Sequence, residues 1–431
     1  METFRVNSSI ETKKLCRLAS FSCIFIFLFS FACFAQDETT IQNIPVLQFP
    51  ALLYTQEYPN LDETQRISLM IATIVNDKAN IQKIVSAREV RARQLSDTVF
   101  FVQADQRPQD RSLWGQTQYI VDFKAGSKVL LCDSLSLDKL VHYYCLRSIP
   151  EKNEAVLLRY GQGTDKSTLV HVDLKTLETK TLYELPEKNK MPEFNDNPRV
   201  KISPDFKKLA ALKNPNQQNQ RPPQSRESDY SLRVLDLDTM KIRVIEDNLK
   251  VQINPRSSLD YGWPSFEWIS SNEILYQNMV PIDLSKSQYI LKCANIKDNA
   301  ITEWLTKQLR LTLDGGSLSY NWLTGELYFQ DFLVDIKNKT LLPKNDSYSI
   351  KQDGQRTEIS FNNEIICNLS DYGYVDTCVS SSKKNFACLI RFNKTGVNAI
   401  YMKTNDIKKS VVVSQKSFYT EVIGWIENSG Q

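Results

Sequence analysis

The residue types that carry common enzyme chemistry lack the required spacing in this chain. A serine hydrolase exposes its nucleophile on a G-x-S-x-G turn, but no two of the 13 glycines stand four residues apart. Loops that hold phosphate need G-x-x-x-x-G-K or G-x-G-x-x-G, and neither pattern occurs in the 431 residues. The sequence therefore excludes these hydrolase and nucleotide-binding motifs.

Metal and cofactor chemistry has no support in the sequence either. The chain contains two histidines, His142 and His171, so a centre built from several histidines is excluded. No C-x-x-C occurs, which removes the spacing of zinc ribbons and of thioredoxin-type redox sites. We predict no cofactor and no metal site.

The nine cysteines divide into three within the N-terminal 35 residues and six beyond them. Cys378 and Cys388 flank one tight turn and are the candidate disulfide, which an exported compartment would permit. Most of the six lie in apolar, strand-like runs, such as Val129–Cys132, and are interpreted as small buried hydrophobic residues.

Carboxylate chemistry is the class that the sequence leaves open. Glycoside hydrolysis uses two carboxylates paired in space, and 50 Asp and Glu residues are available. The 53 Lys and Arg residues nearly balance them, which excludes nucleic-acid binding through bulk positive charge. An apolar content of 42% with 10% aromatic residues excludes wholesale disorder.

An export signal is predicted at the N-terminus. Four basic residues precede an uncharged run from Leu18 to Ala35, which ends in small residues. Cleavage after Ala35 leaves Gln36 first and places the protein in the periplasm or outside the cell. Two alternatives stay open: an uncleaved anchor, because this run can just span a bilayer, and a lipoprotein attached through Cys33. No comparable apolar run follows, so no membrane span is expected after signal removal.

Internal repeats indicate the fold. Residues 169–176 (LVHVDLKT) match residues 232–239 (LRVLDLDT), each an alternating strand that ends in Asp and a Thr-containing turn before a second strand. Hairpins of this outer kind are centred near residues 70, 120, 171, 233, 291, 333 and 400. A second, inner kind alternates with them, as in 200–212 (VKISPDFKKLAAL). The pattern predicts four strands per unit and an all-β fold.

The two ends of the chain each supply part of one unit. The apolar residues of 67–75 have helix spacing. However, when 51–86 are aligned with the residues 222 positions later in the chain, they match the second half of the repeat unit near 275–296. The first strand missing from that unit resembles 421–427, which matches 265–270 (SFEWIS). Pairing of the terminal strands in one sheet would close a ring and remove exposed edges.

This arrangement resembles a β-propeller of the TolB-like, WD-repeat-like class, which is also the propeller of dipeptidyl-peptidase-type proteins. The motif that carries the resemblance is Ile202–Ala210 (ISPDFKKLA), similar to the family's SPDGK turn with Phe206 in place of glycine. The resemblance implies four-stranded antiparallel blades, here without a hydrolase domain. Seven outer hairpins predict seven blades; the alternatives are eight, if 347–369 is a thin blade, and six, if two hairpins merge. The predicted organisation is a signal peptide (1–35), a lead-in (36–49) and a single propeller domain (50–431).

The connections of such a propeller divide between two faces. Turns between the first and second strands and between the third and fourth strands are short here, and define the tight-turn face. The other set defines the long-loop face and comprises 105–117, 186–198, 214–229, 248–262 and 279–287. Long loops on a rigid scaffold are the usual place of binding.

We therefore predict an exported, non-catalytic propeller that binds a protein, peptide or envelope glycan on the long-loop face. Arginine and aromatic residues are typical of such interfaces. The candidate ligand-binding residues are Arg111, Trp114, Arg256, Tyr261 and Trp263. Packing between blades is the alternative role of Tyr261 and Trp263. The alternative function is a glycan hydrolase or lyase with carboxylates at the channel mouth.

Overall fold

The strands alternate with turns along nearly the whole described chain. The computed structural model describes residues 41, 44–45, 47–58, 65–105, 116–132, 141–161, 166–187, 190–195, 200–213, 227–252, 265–281, 286–310, 318–329, 332–343, 347–353, 356–370, 374–405, 407, 410–417 and 420–427. Residues 43–431 form one compact unit by their internal contacts.

Antiparallel strands form eight separate sheets among the described residues, seven of them four-stranded and one three-stranded. In spatial order, sheet 1 is β3 (Lys78–Ala87), β2 (Ile67–Val75), β1 (Ala51–Glu57) and β31 (Thr420–Ile426); sheet 2 is β4 (Glu89–Gln94), β5 (Val99–Asp105), β6 (Gln116–Asp122) and β7 (Ser127–Cys132); sheet 3 is β11 (Thr179–Glu184), β10 (Thr168–Asp173), β9 (Glu154–Gly161) and β8 (Val141–Ile149); sheet 4 is β12 (Lys201–Ile202), β13 (Lys208–Lys213), β14 (Glu227–Asp236) and β15 (Lys241–Gln252); sheet 5 is β16 (Phe266–Ser270), β17 (Glu273–Pro281), β18 (Lys286–Asn295) and β19 (Ile301–Arg310); sheet 6 is β20 (Leu318–Asn321), β21 (Glu326–Phe329), β22 (Phe332–Asp335) and β23 (Thr340–Pro343); sheet 7 is β24 (Tyr348–Asp353), β25 (Arg356–Phe361) and β26 (Glu364–Leu369); sheet 8 is β27 (Tyr374–Val379), β28 (Phe386–Arg391), β29 (Asn398–Lys403) and β30 (Val411–Ser417).

The described chain contains very little helix. A single 3-10 turn spans Pro150–Lys152, and a four-residue α-helix spans Pro192–Asn195. No helix within the described ranges has the length and apolar character needed to cross a bilayer.

The predicted outer hairpins are confirmed. All seven of their centres fall in third strands of sheets: β2, β6, β10, β14, β18, β22 and β29. The described sheets number eight because residues 347–369 form the additional three-stranded sheet 7. This segment is the one for which the sequence left a thin blade as the alternative.

Sheet 1 is assembled from both ends of the chain, as the repeat predicted. Ala51–Glu57 pairs with Ile67–Val75 on one side and with Thr420–Ile426 on the other. The helix-like spacing in β2 reflects burial of both faces of a strand, since its residues 68–73 are buried without alternation. A strand covered on both faces is apolar throughout and loses its period of two.

Two equivalent tryptophans show that β31 occupies the position of a first strand. Trp268 in β16 donates from Nε1 to the carbonyl of Lys201 in sheet 4, over 3.0 Å. Trp425 in β31 donates from Nε1 to the carbonyl of Cys378 in sheet 8, over 3.1 Å. Each buried indole thus bonds to the first strand of the preceding sheet. The sequence similarity between 421–427 and 265–270 therefore reflects the same packing of one tryptophan in each strand.

Apolar side chains between the sheets form the core. Shared clusters of buried residues join sheets 2 and 3, sheets 3 and 4, sheets 4 to 6, sheets 7 and 8, and sheets 8 and 1. Sheets 1 and 2 meet where Gln94 Nε2 donates to the carbonyl of Trp425, over 2.6 Å. The sheets are therefore neighbours in the order 7, 8, 1, 2, 3, 4, 5 and 6.

The turn that carries the family resemblance recurs in sheet 8. In sheet 4, Ser203 N donates to Lys208 O and Phe206 N donates to Ser203 O. In sheet 8, Ser380 N donates to Asn385 O and Lys383 N donates to Ser380 O in the same pattern. Phe206 (φ 60°) and Lys383 (φ 59°) have the left-handed backbone that favours glycine. The glycine of the family turn is replaced here without a change in the turn.

Sheet 7 lacks the first strand of the other sheets. Glu364 is the first residue of β26, and its Oε2 lies 2.8 Å from Lys403 Nζ. Lys403 is the last residue of β29, the third strand of sheet 8, which ends at the tight-turn face. The turn between β25 and β26 is therefore on the tight-turn face, as a turn between third and fourth strands must be. The strands β24, β25 and β26 thus correspond to the second, third and fourth strands elsewhere.

The register of sheet 8 disfavours the expected Cys378–Cys388 disulfide, and all six cysteines of the described residues, Cys367 included, are free thiols in the structure. Cys378 lies opposite Ala387 in the β27–β28 register, and Cys388 lies opposite Thr377. Because neighbouring residues of a strand point to opposite faces, the two thiols lie on opposite sides of sheet 8. The turn they flank is tight, but its register separates them.

Glu427, the residue after β31, forms hydrogen bonds with the turn between β27 and β28 on the tight-turn face of sheet 8. Its carboxylate accepts hydrogen bonds from Ser381 Oγ at 2.9 Å and from Ser382 N and Oγ at 3.1 and 2.7 Å. Ser381 also donates to Asp97 of sheet 2 at 2.7 Å. Burial alone raises the pKa of the Glu427 carboxyl, but the serine hydrogen bonds outweigh it and the pKa lies below its usual range.

We expect Glu427→Gln to lower the free energy of unfolding at pH 7 by about 1–2 kcal/mol, because charge-assisted bonds are replaced. A carboxyl with a lowered folded pKa stabilises the fold above its unfolded pKa of about 4.3. That contribution is lost as the pH falls through the folded value. Urea unfolding at pH 7 and in acid should therefore show a difference between wild type and variant that shrinks in acid. Glu184→Gln, at an exposed carboxyl on β11, is the control. Equal stability of wild type and Glu427→Gln at pH 7 would contradict this role.

Candidate functional site

The first strand of sheet 2 presents a charged face. In β4 (EVRARQ), side chains alternate between faces, so Glu89, Arg91 and Arg93 lie on one side and Val90 on the other. Val90 is buried, whereas Arg91 and Arg93 are exposed. The sequence folds this way because Val90 packs into the core and leaves the arginines on the opposite face.

The neighbouring strand extends this face. Arg91 lies opposite Gln103, and Arg93 lies opposite Phe101, in the β4–β5 register. Directly opposite residues of an antiparallel pair share a face. The hairpin therefore presents guanidinium groups beside one amide and one aromatic ring.

A cavity of about 1100 Å³ lies against this face. Its other walls come from β1, β2 and β31 of sheet 1 and from β8 of sheet 3. The lining residues are Glu57, Arg66, Ile67, Arg88, Glu89, Val90, Arg91, Ala92, Arg93, Phe101, Gln103, Tyr144, Cys145 and Glu421. The site thus lies where the first strands of sheets 1, 2 and 3 meet.

The cavity reaches the long-loop face. Glu57 ends β1, Ile67 begins β2, and Glu89 begins β4. These strand ends carry the connection between the second and third strands of sheet 1 and the one-residue connection, Arg88, from sheet 1 to sheet 2, which lie at the same end of the sheets as the long connections. Long connections at this end would extend the cavity walls.

Ion pairs order part of the lining. Arg66 pairs with Glu57, whose side chain is 8% exposed. Arg91 Nε lies 2.6 Å from Glu89 Oε1, and both of these side chains are well exposed. Because exposed pairs contribute little to stability, Arg91 can exchange its partner for a ligand at small cost.

Arg93 is held more firmly than Arg91. Its Nη1 donates to the carbonyl of Cys145 at 3.4 Å, and its guanidinium carbon stands 3.8 Å from the ring centroid of Trp322 in sheet 6. Gln103 Nε2 also donates to β8, at Tyr143 O over 3.4 Å. These contacts fix the inner end of the cavity to the backbone of sheet 3.

An aromatic stack supports the wall formed by sheet 3. Tyr144 lines the cavity and stacks on Tyr160 with ring centroids 5.1 Å apart. The two hydroxyls are hydrogen-bonded at 2.8 Å, and His142 stacks on the far side of Tyr160 at 5.4 Å. The stack and the core shared by sheets 3 and 4 hold the Tyr144 ring in place.

A second polar cluster lies on the first strands of sheets 3, 4 and 5. Glu267 accepts from Lys201 Nζ at 2.6 Å and lies 3.9 Å from Arg147 Nη1. Arg147 also lies over the ring of Tyr320, 5.0 Å from its centroid. Burial lowers the pKa of the Arg147 guanidinium, while Glu267 and Tyr320 raise it. Glu267 and Arg147 are each less than 10% exposed, so this cluster is structural.

The residues predicted from sequence to bind a ligand fall outside the described ranges. Arg111 and Trp114 belong to 106–115, the connection from β5 to β6. Arg256, Tyr261 and Trp263 belong to 253–264, the connection from β15 to β16. Their role remains a prediction.

The arginines of β4 were missed at the sequence level, although a signal was present. Arg91 and Arg93 alternate with Val90 and Ala92 in a strand next to the predicted loop face. Charged residues at every second position of a first strand indicate that one of its faces is not wholly apolar. Within the described part of the chain, no three His, Cys, Asp or Glu side chains are grouped so as to hold a metal ion.

No protein-family model matches this sequence, and no curated protein matches it. Solved structures with a similar fold include TolB from Acinetobacter baumannii, at 14% identity over 61% of this chain and 64% of that one, with a TM-score of 0.23. The dipeptidyl peptidase 4 of Porphyromonas gingivalis is 9% identical over 82% of this chain and 58% of its own, with a TM-score of 0.39. The propeller domain of the Trilobed protease from Pyrococcus furiosus is 12% identical over 76% of this chain and 96% of its own, with a TM-score of 0.34.

The peptidases are larger than this chain. It spans 50% of a prolyl endopeptidase structure and 52% of an acylaminoacyl peptidase from Pyrococcus horikoshii. The chain is an all-β protein of antiparallel sheets, similar to TolB-like and dipeptidyl-peptidase-type propellers.

Proposed function

We propose that this chain is an exported, non-catalytic β-propeller that binds an acidic segment of a protein or peptide in the arginine-lined cavity. The observation that carries the proposal is the cavity of about 1100 Å³ at the first strands of sheets 1 to 3, with four arginines in its lining. A pocket of this size accommodates several residues of an extended peptide.

The proposed ring comprises all eight sheets. Pairing of β1 with β31 and the shared cores support seven of the eight junctions between neighbouring sheets. A junction between sheets 6 and 7 would complete the circle. In that ring the cavity lies at the mouth of the central channel, on the long-loop face.

The charge of the lining favours an anionic ligand. Four guanidinium groups face three carboxylates, those of Glu57, Glu89 and Glu421. Guanidinium binds carboxylate through two parallel hydrogen bonds, so an acidic side chain can replace Glu89 at Arg91.

The predicted loop residues fit the same site. The connection 106–115 begins three residues after Gln103, which lines the cavity, and it carries Arg111 and Trp114. We propose that Arg111 and Trp114 also bind the acidic segment. Arginine and tryptophan at the centre of an interface are the residue types whose loss weakens binding most.

Fluorescence anisotropy with a fluorescein-labelled peptide of six glutamates tests the proposal. We expect Arg88→Ala with Arg91→Ala to weaken binding about tenfold or more, since two charged contacts are lost. Lys207→Ala with Lys384→Ala, at exposed lysines of the tight-turn face, is the matched control and should bind like wild type. Equal affinity for a peptide of six lysines, or an unchanged affinity in the cavity variant, would contradict the proposal.

The carboxylates of the lining support one alternative, a glycan hydrolase or lyase. Glu89 and Glu421 lie in one cavity at the ends of β4 and β31. Most glycoside hydrolases use a pair of carboxylates for catalysis. Release of reducing ends from envelope glycans that Glu89→Gln abolishes would establish this activity and overturn the non-catalytic proposal.

A further inference from the structure

Two cysteines of different sheets meet in one buried cluster. Cys367 lies in β26 of sheet 7 and Cys388 in β28 of sheet 8, and they are 9% and 0% exposed. Both belong to the apolar core that joins these sheets. Hydrogen bonding with Cys388 lowers the pKa of the Cys367 thiol, whereas hydrogen bonding with Cys367 and burial raise the pKa of the Cys388 thiol. We propose that Cys367 and Cys388 form an inter-sheet disulfide when the chain folds in an oxidising compartment.

The surroundings hold the two strands in this position. Ser410 Oγ donates to the carbonyl of Ile366 at 2.7 Å, which ties the residue before Cys367 to sheet 8. Lys403 Nζ of sheet 8 lies 2.8 Å from Oε2 of Glu364, which is in β26 like Cys367. Phe361 stacks on Phe386 with ring centroids 5.0 Å apart. These contacts hold β25 and β26 against sheet 8 on both sides of the two cysteines.

The proposed disulfide would stabilise the position of sheet 7, which the other cysteines do not do. Sheet 7 has three strands, so it offers less surface to its neighbours than the four-stranded sheets do. A covalent link from its last strand to sheet 8 would hold this sheet in place. Cys378, the partner expected from sequence, points to the opposite side of sheet 8 and packs with the core shared by sheets 8 and 1.

The reaction is thiol–disulfide exchange with a donor disulfide, either a dithiol oxidoreductase or a small-molecule disulfide. One cysteine thiolate attacks the donor and forms a mixed disulfide, and one donor thiol leaves. The second cysteine thiolate then attacks the mixed disulfide, forms the Cys367–Cys388 bond and releases the second donor thiol. The protein loses two protons and two electrons, and the donor disulfide is reduced to two thiols.

Refolding of the full chain in mixed reduced and oxidised glutathione tests the inference. After alkylation, digestion without reductant should yield a linked peptide that is lighter by two hydrogens than the sum of its parts. Trypsin cuts after Lys384, and cleavage before Asp371 separates Cys367 from Cys378. We expect Cys388 linked to Cys367. Linkage of Cys388 to Cys378, or alkylation of both Cys367 and Cys388 in the oxidised folded protein, would overturn the proposal.

Stability supplies a second readout. The bond closes a loop of about 20 residues, and oxidation should raise Tm by about 3–5 °C relative to the reduced protein. Cys367→Ser should abolish this difference, and Cys378→Ser should preserve it. Because the peptide map is made on the wild-type chain, it decides the question even if Cys367→Ser folds poorly. An oxidation-dependent rise in Tm that survives Cys367→Ser would also overturn the assignment.

Discussion

Deleting residues 420–431 is expected to abolish the cooperative thermal transition of this protein or to leave an aggregating chain. The deletion removes β31, the first strand of sheet 1, and with it Trp425, which is 2% exposed. It also uncovers Leu52 and Tyr54 in β1, both fully buried. Each large apolar side chain that loses its burial costs about 1.5–3 kcal/mol. Since a domain is stable by only about 5–15 kcal/mol, the loss is comparable to the whole stability.

Calorimetry or circular dichroism on heating measures this effect. The matched control ends after Glu427, so it lacks residues 428–431 and retains β31 and its hydrogen bonds. We expect the control to melt like the full chain. A deletion of residues 420–431 that melts at the wild-type temperature would show that β31 contributes nothing to sheet 1.

Glu267→Gln is expected to destabilise the fold by about 3–5 kcal/mol, the cost of leaving a buried charge without its partner. Glu267 links Lys201 in sheet 4 to Arg147 in sheet 3, and its side chain is 7% exposed. The variant keeps the size of the side chain but leaves the Arg147 guanidinium, which is 6% exposed, uncompensated. Equilibrium unfolding in urea measures the change.

A double variant separates charge from packing. Replacing Arg147 and Glu267 together by Met removes both charges, and such replacements are often neutral or stabilising. We therefore expect the double variant to be more stable than Glu267→Gln alone. Glu178→Gln, at an exposed carboxyl in the turn after β10, is the control and should change little. If Glu267→Gln unfolds at the same urea concentration as this control, the ion-pair cluster does not stabilise the fold.

The strand order could be predicted from sequence because it depends on local repetition. A hairpin such as 232–239 repeats the alternation, Asp and Thr of 169–176, and both fall in third strands. The terminal pairing could also be predicted, since one unit was short of a strand and 421–427 matched it. Register could not be predicted at the same level. Whether Cys388 faces Cys378 depends on how many residues the turn consumes, and a change of one residue moves a side chain to the other face.

The candidate site was predictable in part. The face was inferred from the lengths of connections, which a sequence shows directly. The charged lining depends on which strands of three sheets meet. Arg66 lies next to sheet 1 and Arg91 in sheet 2, and these sheets are joined by the hydrogen bond from Gln94 to Trp425, near the C-terminus. No local pattern encodes such a meeting. The individual arginines could therefore be assigned only from the structure.

Sheet 1 sets the order in which this protein can complete its folding. Its strands β1, β2 and β3 are synthesised early, but β31 is encoded far downstream. During translation the early hairpins remain an incomplete sheet, and the last contact to form joins residues with the largest sequence separation in the fold. This delay leaves the apolar edge of β1 open to other chains until β31 pairs with it.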